Sequence, residues 1–304
     1  MKLDFMYVFK CATLAVVPLM SLGVQAAESE FREDQALRLS FISEPDSEIV
    51  TNMAKKILEQ QLDYKVKLSL LALGVQYQSI STKKLDAMLM AWLPNTQAAY
   101  WDKYKNSVDD LGIIYGGKLG WVVPDYVPVN EVRTIADLEN PEVANKFKGT
   151  IQGIDPGAGL MRKSEETIKN YNLVDYKLSA SSATAMTIAM DRAILKKDWI
   201  VATAWTPHWM FGKWNLRYLE DPKGSLGGAE GVHTLSRKGF GEDFPRAANF
   251  LQNYKIPLAD LQGIMAEAHE TSNPDGAINH YLDSHPEKIT EWTESAKKLP
   301  LYKN

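Results

Sequence analysis

Two stretches decide how this chain folds: LDAMLMAWLP at residues 85–94 and WIVATAWTP at residues 199–207. Each is a short, almost wholly apolar run, as expected of a strand buried on both faces of a sheet. Each ends in the same pattern, A-W-x-P, at 91–94 and 204–207. A Pro–Asp neighbour pair precedes each copy at nearly equal distance, Pro45–Asp46 in one case and Asp155–Pro156 in the other. The same features in the same order predict two lobes of like design.

Strand-like and helical runs alternate outward from these stretches. LRLSFI (37–42) and YKVKLSL (64–70) alternate in polarity as strands do. Between them, residues 46–62 place Ile49, Met53 and Ile57 on one helix face, with Asp46 or Ser47 as the N-cap. Helical runs follow at 76–83 and 95–104. In the second part, GTIQGI (149–154) reads as a strand and DPGAG (155–159) as a turn opening a helix over 160–171. A short strand at 176–178 precedes a helix over 182–196 with Met186, Met190 and Ile194 on one face. From Phe240 onward the chain is helical, at 244–252, 258–271, 276–284 and 287–298. This predicts an α/β protein in which each lobe is a mixed, mostly parallel sheet flanked by helices. GGKLGWVVP (116–124) and GVHTLSR (231–237) read as two crossings between lobes. They set lobe 1 at 36–120 plus 235–304 and lobe 2 at 121–234, with a ligand cleft between them and a hinge at the crossings.

The N-terminus reads MKLDFMYVFK, then ATLAVVPLMSLG, then VQA before AESEF. A basic start, a short apolar run and small residues at Val24 and Ala26 predict a secretory signal peptide over 1–26. The apolar run of about 12 residues is short of the roughly 20 that span a bilayer. The single cysteine, Cys11, lies inside this leader and away from its cleavage point, so no lipid anchor is expected. The remaining 278 residues are cysteine-free, which suits a periplasmic protein with a core large enough to need no disulfide. The whole chain carries a net charge of −4, and no long basic run is present, which argues against nucleic acid as a partner.

In open α/β sheets ligands bind beyond the carboxyl ends of the strands, where Trp92 and Trp205 fall. Two lobes facing each other set these indoles across one cleft. Indole faces attract a desolvated cation by roughly 2 kcal/mol or more. They suit a quaternary ammonium, which has diffuse charge and no N–H to donate. Gly157 and Gly159 let backbone approach a ligand, and the free N–H groups at the start of the following helix can hold a carboxylate. His208, close to Trp205, is counted with the ligand set, although a His beside aromatic residues also serves as a structural hydrogen-bonder. No metal spacing, cofactor motif, phosphate-cradling loop or nucleophile–base arrangement is present, so an enzyme is not expected.

The stretches DAMLMAWLPNTQAAYWDKY, GTIQGIDPGAGLM, SASSATAMTIAMDRAI, TAWTPHWMFGKWNLRYLEDPK and VHTLSRKGF together resemble the substrate-binding proteins of glycine betaine and choline-type ABC importers, over about residues 37–295. The resemblance implies a periplasmic-binding-protein-like fold, a monomer, and an ABC permease in the inner membrane as partner. It implies a Trp box for the ammonium that includes Trp92 and Trp205, and a backbone carboxylate site at Gly159 and Leu160. Two departures stand out. Glu44 or Pro45 occupies the place of a third box Trp, and Gln97 that of a His reaching the carboxylate. Glu44 can accept a hydrogen bond from a less methylated amine, or it points to water while Trp101, Tyr115 or Trp121 completes the box. The ligand expected is therefore a betaine or related quaternary ammonium solute. The alternatives are a different small amine, or service of the same fold as a sensor partner.

Overall fold

The computed structural model describes residues 36–303. The expected leader, residues 1–26, lies outside the described residues. Nine strands form one sheet in the order β2-β1-β3-β9-β4-β7-β5-β6, with β8 beside β4. The strands are β1 (Leu37–Phe41), β2 (Val66–Leu70), β3 (Ala87–Leu93), β4 (Val108–Pro124), β5 (Thr150–Gln152), β6 (Lys177–Ser179), β7 (Val201–Thr206), β8 (Leu216–Tyr218) and β9 (Ala229–Arg237). The order β2-β1-β3 is repeated as β6-β5-β7, and both triplets are parallel. β9 pairs antiparallel with β3, and β4 pairs antiparallel with β7. The A-W-x-P repeat therefore marks a repeated architecture. Both copies end in a cis peptide, Leu93–Pro94 and Thr206–Pro207.

The apolar runs form the strand of each triplet that lies nearest the middle of the sheet. All seven residues of β3 are buried, as are five of the six in β7. β4 is the strand that joins the halves. Val108 to Lys118 pair with β9, and Lys118 to Val122 pair with β7. The sequence predicts only its second part, from residue 116. The first part carries Asp109 and Asp110 and two register shifts, at Asp110/Gly112 and Ile113/Tyr115. Bulges of this kind break the two-residue alternation from which a strand is read.

Helices α1 (Pro45–Gln61), α2 (Leu73–Ser81) and α3 (Ala98–Tyr104) follow β1, β2 and β3. After a short helix α4 (Pro141–Lys146), α5 (Gly159–Asn170) and α6 (Ala183–Lys196) follow β5 and β6. α1 buries Ile49, Val50, Met53, Ala54, Ile57 and Leu58, at roughly 1.5–3 kcal/mol for each large side chain. Its start corrects the expected cap. Pro45 is the first helical residue, as suits a fixed φ and a missing N–H. Glu44 stands at the N-cap without a side-chain cap. Ser47 Oγ accepts from the Ile42 N–H, and Asp46 is turned elsewhere.

Short α7 (Met210–Lys213) and α8 (Phe240–Asp243) precede the tail helices α9 (Pro245–Asn253), α10 (Leu258–Thr271), α11 (Pro274–Ser284) and α12 (Pro286–Thr293). α10 and α11 pack on α1. The Tyr254 hydroxyl donates to the Val50 carbonyl at 3.0 Å. An ionic hub ties β1, β3 and β9 together. Buried Asp86 accepts from Arg38 (Nε, 2.9 Å) and Arg237 (Nε, 2.7 Å). Burial alone would raise the Asp86 pKa, but these arginine hydrogen bonds hold it below the usual range.

Candidate ligand-binding site

The carboxyl ends of all six parallel strands converge on one cavity of about 240 Å³. Ile42 to Glu44 follow β1, and Leu70 to Leu73 follow β2. Trp92, Thr96 and Gln97 come from the end of β3. Ile154 to Leu160 follow β5, Ser182 and Ala183 follow β6, and Trp205 lies at the end of β7. This volume is below the roughly 300–1,000 Å³ of pockets for drug-sized ligands and fits a solute of a few heavy atoms.

Trp92 and Trp205 are the only aromatic residues lining the cavity among the described residues. The outer edge of the Trp92 ring closely approaches Gly117 on β4, where a Cβ would run into it. Its Nε1–H points to Met90 Sδ at 3.2 Å, and Tyr115 meets it edge-on at 6.4 Å between centroids. Trp205 is held from the other half of the sheet: its Nε1–H donates to Asp46 Oδ1 at 3.2 Å. The other aromatic candidates lie outside the cavity wall. Tyr115 is buried and donates to Asp46 Oδ2 at 2.7 Å, and Trp121 donates to Ser164 Oγ at 2.9 Å within the core. Trp101 packs against a separate apolar cluster that contains Tyr77.

Glu44 lines the cavity where the sequence departs from a third indole. Its carboxylate has no hydrogen-bond or ion-pair partner among the described residues. Burial, with Asp46 and then Asp155 nearby, pushes its pKa well above the usual carboxylate range. Burial likewise raises Asp46 to about 6, against the hydrogen bonds from Tyr115 and Trp205. Glu44 and Asp155 line the cavity, and no Lys, Arg or His does so among the described residues. With acids and no bases in its wall, the cavity favours a cation, and a bound cation in turn favours the ionised form of Glu44.

Another part of the wall suits an anion. Gly159 and Leu160 open α5, their N–H groups carry no hydrogen bond among the described residues, and no side chain caps the helix. Thr96 packs directly on Gly159, where a Cβ would collide with its carbonyl. Thr96 Oγ1 is buried without a partner, while its N–H donates to Glu230 Oε1 at 3.0 Å. Sequence reasoning missed Thr96, Asp46 and Glu230, whose roles depend on contacts between distant segments.

The remaining predicted residues divide. Gln97 lines the cavity, but Oε1 accepts from Tyr77 (2.8 Å) and Nε2 donates to the Met90 carbonyl (3.0 Å). One N–H of its amide stays available for a ligand. Pro45 and His208 do not line this cavity. They border a second one of about 380 Å³, together with Trp209 and His269. His208 packs edge-on behind Trp205 at 4.6 Å, and Nδ1 accepts from the Met210 N–H at 3.1 Å. Burial, with a smaller contribution from His269, lowers its pKa to about 3, so the ring is neutral. Its place in the ligand set is corrected to a support for Trp205. No group of three or more His, Cys, Asp or Glu able to hold a metal occurs among the described residues. No helix among them is long and apolar enough to cross a membrane.

The chain is similar to solute receptors of known ligand. The Listeria monocytogenes glycine betaine/carnitine transport binding protein GbuC is 39% identical over 160 residues, 52% of this chain and 53% of that relative. The match thus spans about half the length of that curated relative. Lactococcal OpuAC, solved closed and liganded with glycine betaine, superposes with a TM-score of 0.79 at 36% identity, covering 86% of this chain and 100% of that one. An ABC-transporter choline-binding protein in complex with choline gives 0.79 at 26% identity, covering 87% and 94%. These neighbours share the two-lobed architecture with a cleft for the ligand. The family described as the substrate-binding domain of ABC-type glycine betaine transport systems matches residues 36–284, and the chain belongs to it.

Proposed function

We propose that the chain is the periplasmic solute receptor of an ABC importer. It acts as a monomer that delivers a small methylated ammonium zwitterion to a permease in the inner membrane. The observation that carries this is the convergence of six strand ends on one cavity with a cationic and an anionic pole. Trp92 and Trp205 take the methyl groups of the ammonium. The Gly159 and Leu160 N–H groups, with Thr96 and the free N–H of Gln97, take the carboxylate. A transport family and neighbours solved with glycine betaine and choline support the same reading. Lobe 1 comprises residues 36–120 and 235–304, lobe 2 residues 121–234, and β4 and β9 form the hinge.

Ligand binding to the folded state alone raises the melting temperature. Ligand-free protein is heated with a panel of betaines, choline, carnitine and partly methylated amino acids. Tryptophan emission is recorded in parallel. A shift in both signals for at least one of them is expected. Silence across the panel would sink the reading.

A further inference from the structure

Resting on the reading of this cavity as a solute site, we propose that Glu44 sets its specificity. The preferred ligand is then an ammonium that keeps at least one N–H, donated to the Glu44 carboxylate, and not a fully quaternary one. A quaternary ammonium exposes only methyl groups, and its best surroundings are aromatic faces on several sides. Here two indoles line the cavity, and a carboxylate stands at its wall between the end of β1 and α1. Tyr115, Trp121 and Trp101, which could have supplied a third face, are engaged elsewhere.

Glu44 is also the polar group with most to gain from a ligand. Its carboxylate is unpartnered, and the acids nearest to it, Asp46 and Asp155, repel it further. Glu44 is half-buried, and a carboxylate partly removed from water without a donor is costly, whereas a charged N–H···O bond is among the stronger hydrogen bonds in a protein. Asp46 already accepts from Tyr115 and Trp205, and Asp155 Oδ1 accepts from the Gly157 N–H at 2.9 Å. Of the two acids that line the cavity among the described residues, only Glu44 has neither oxygen engaged, and the N–H of a ligand ammonium is assigned to it. Two methyl groups against two indoles, one N–H toward Glu44 and a carboxylate toward α5 describe a dimethylated amino acid in its zwitterionic form.

The test is isothermal titration of ligand-free protein with N,N-dimethylglycine and glycine betaine, which differ by one methyl in place of one N–H. The expected result is dimethylglycine tighter by about tenfold or more. Glu44→Gln should cost dimethylglycine about tenfold or more and glycine betaine clearly less, because both lose the attraction of the carboxylate and only dimethylglycine loses an N–H···O bond. Glu44→Trp should reverse the ranking. Glycine betaine binding as tightly as dimethylglycine to the unmodified protein, or a ranking that Glu44→Gln leaves unmoved, overturns the proposal. The comparison within the unmodified protein needs no variant to fold. Binding of glycine betaine without dimethylglycine sinks the role of Glu44 and leaves the solute-receptor reading standing. Binding of neither, nor of any other member of the panel, sinks both.

Discussion

Trp92 and Trp205 line the same cavity but are anchored differently. Trp92 is supported within its own half of the sheet, by Gly117, Met90 and Tyr115. Trp205 reaches across to Asp46 on α1. A desolvated cation–π contact is worth roughly 2 kcal/mol or more, so Trp92→Ala and Trp205→Ala should each weaken ligand binding by about one to two powers of ten. Titration calorimetry checks this, and an unchanged affinity removes that residue from the site. His208, behind Trp205, should behave oppositely. His208→Asn keeps an acceptor for the Met210 N–H and should leave affinity within about twofold. Its signature is in stability against pH. The folded pKa is lowered to about 3, so below pH 6.5 the unfolded chain takes up a proton that the folded chain refuses. Stability from this group is present above that pH and lost on acidification toward 3. Melting temperature should therefore fall less steeply with acid in the variant. Equal slopes would place the titrating group elsewhere.

Among elements, α5 is where sequence and structure inform each other most. DPGAG announces a turn with free N–H groups beyond it, and α5 begins at Gly159 as that motif requires. Its partner was hidden, because Thr96 sits 63 positions earlier and meets Gly159 only through the tertiary fold. Gly159→Ala drives a Cβ into the Thr96 carbonyl, a backbone atom that cannot swing aside. The halves then cannot approach as in this structure. Affinity should drop about tenfold or more while the melting temperature without ligand shifts little. Unchanged affinity would show that the contact is not needed for binding. The same contrast explains the rest of the site. Indoles at strand ends and a glycine turn are local features, readable from spacing, whereas Glu44 stood out only through the family resemblance. Asp46 read as a cap because an acid at a helix start usually is one. Its true partners, Tyr115 and Trp205, are 69 and 159 positions away. The first part of β4 escaped for a local reason, since its acidic pair and bulges erase the strand pattern.

On the scale of the whole molecule, the repeated triplets β2-β1-β3 and β6-β5-β7 face their strand ends toward each other and are closed upon the cavity. Individually modest, mostly polar contacts hold that closure, as a receptor that must release its cargo requires. The Trp205–Asp46 hydrogen bond is one. Arg162 on α5 is another: its Nη2 donates to the carbonyls of Thr96 (3.1 Å) and Asn95 (3.3 Å), while Nη1 is paired with Glu166. Glu230 on β9 holds the same 95–96 turn from behind through both backbone N–H groups. Arg162 touches the opposing turn but does not line the cavity, so it separates closure from ligand contact. A charged hydrogen bond is worth roughly 1.5–3 kcal/mol, and partial exposure of the guanidinium, with 37% of the side chain accessible, brings this toward about 1 kcal/mol. Arg162→Ala should then speed ligand dissociation about fivefold and leave the order of ligand preference untouched. Stopped-flow tryptophan fluorescence with two ligands measures both. A changed preference would mean that Arg162 touches the ligand, and an unchanged dissociation rate would mean that the remaining contacts, among them Trp205–Asp46, the Gln262 donation to the His208 carbonyl and the stacking of Trp209 on His269, hold the closure without it.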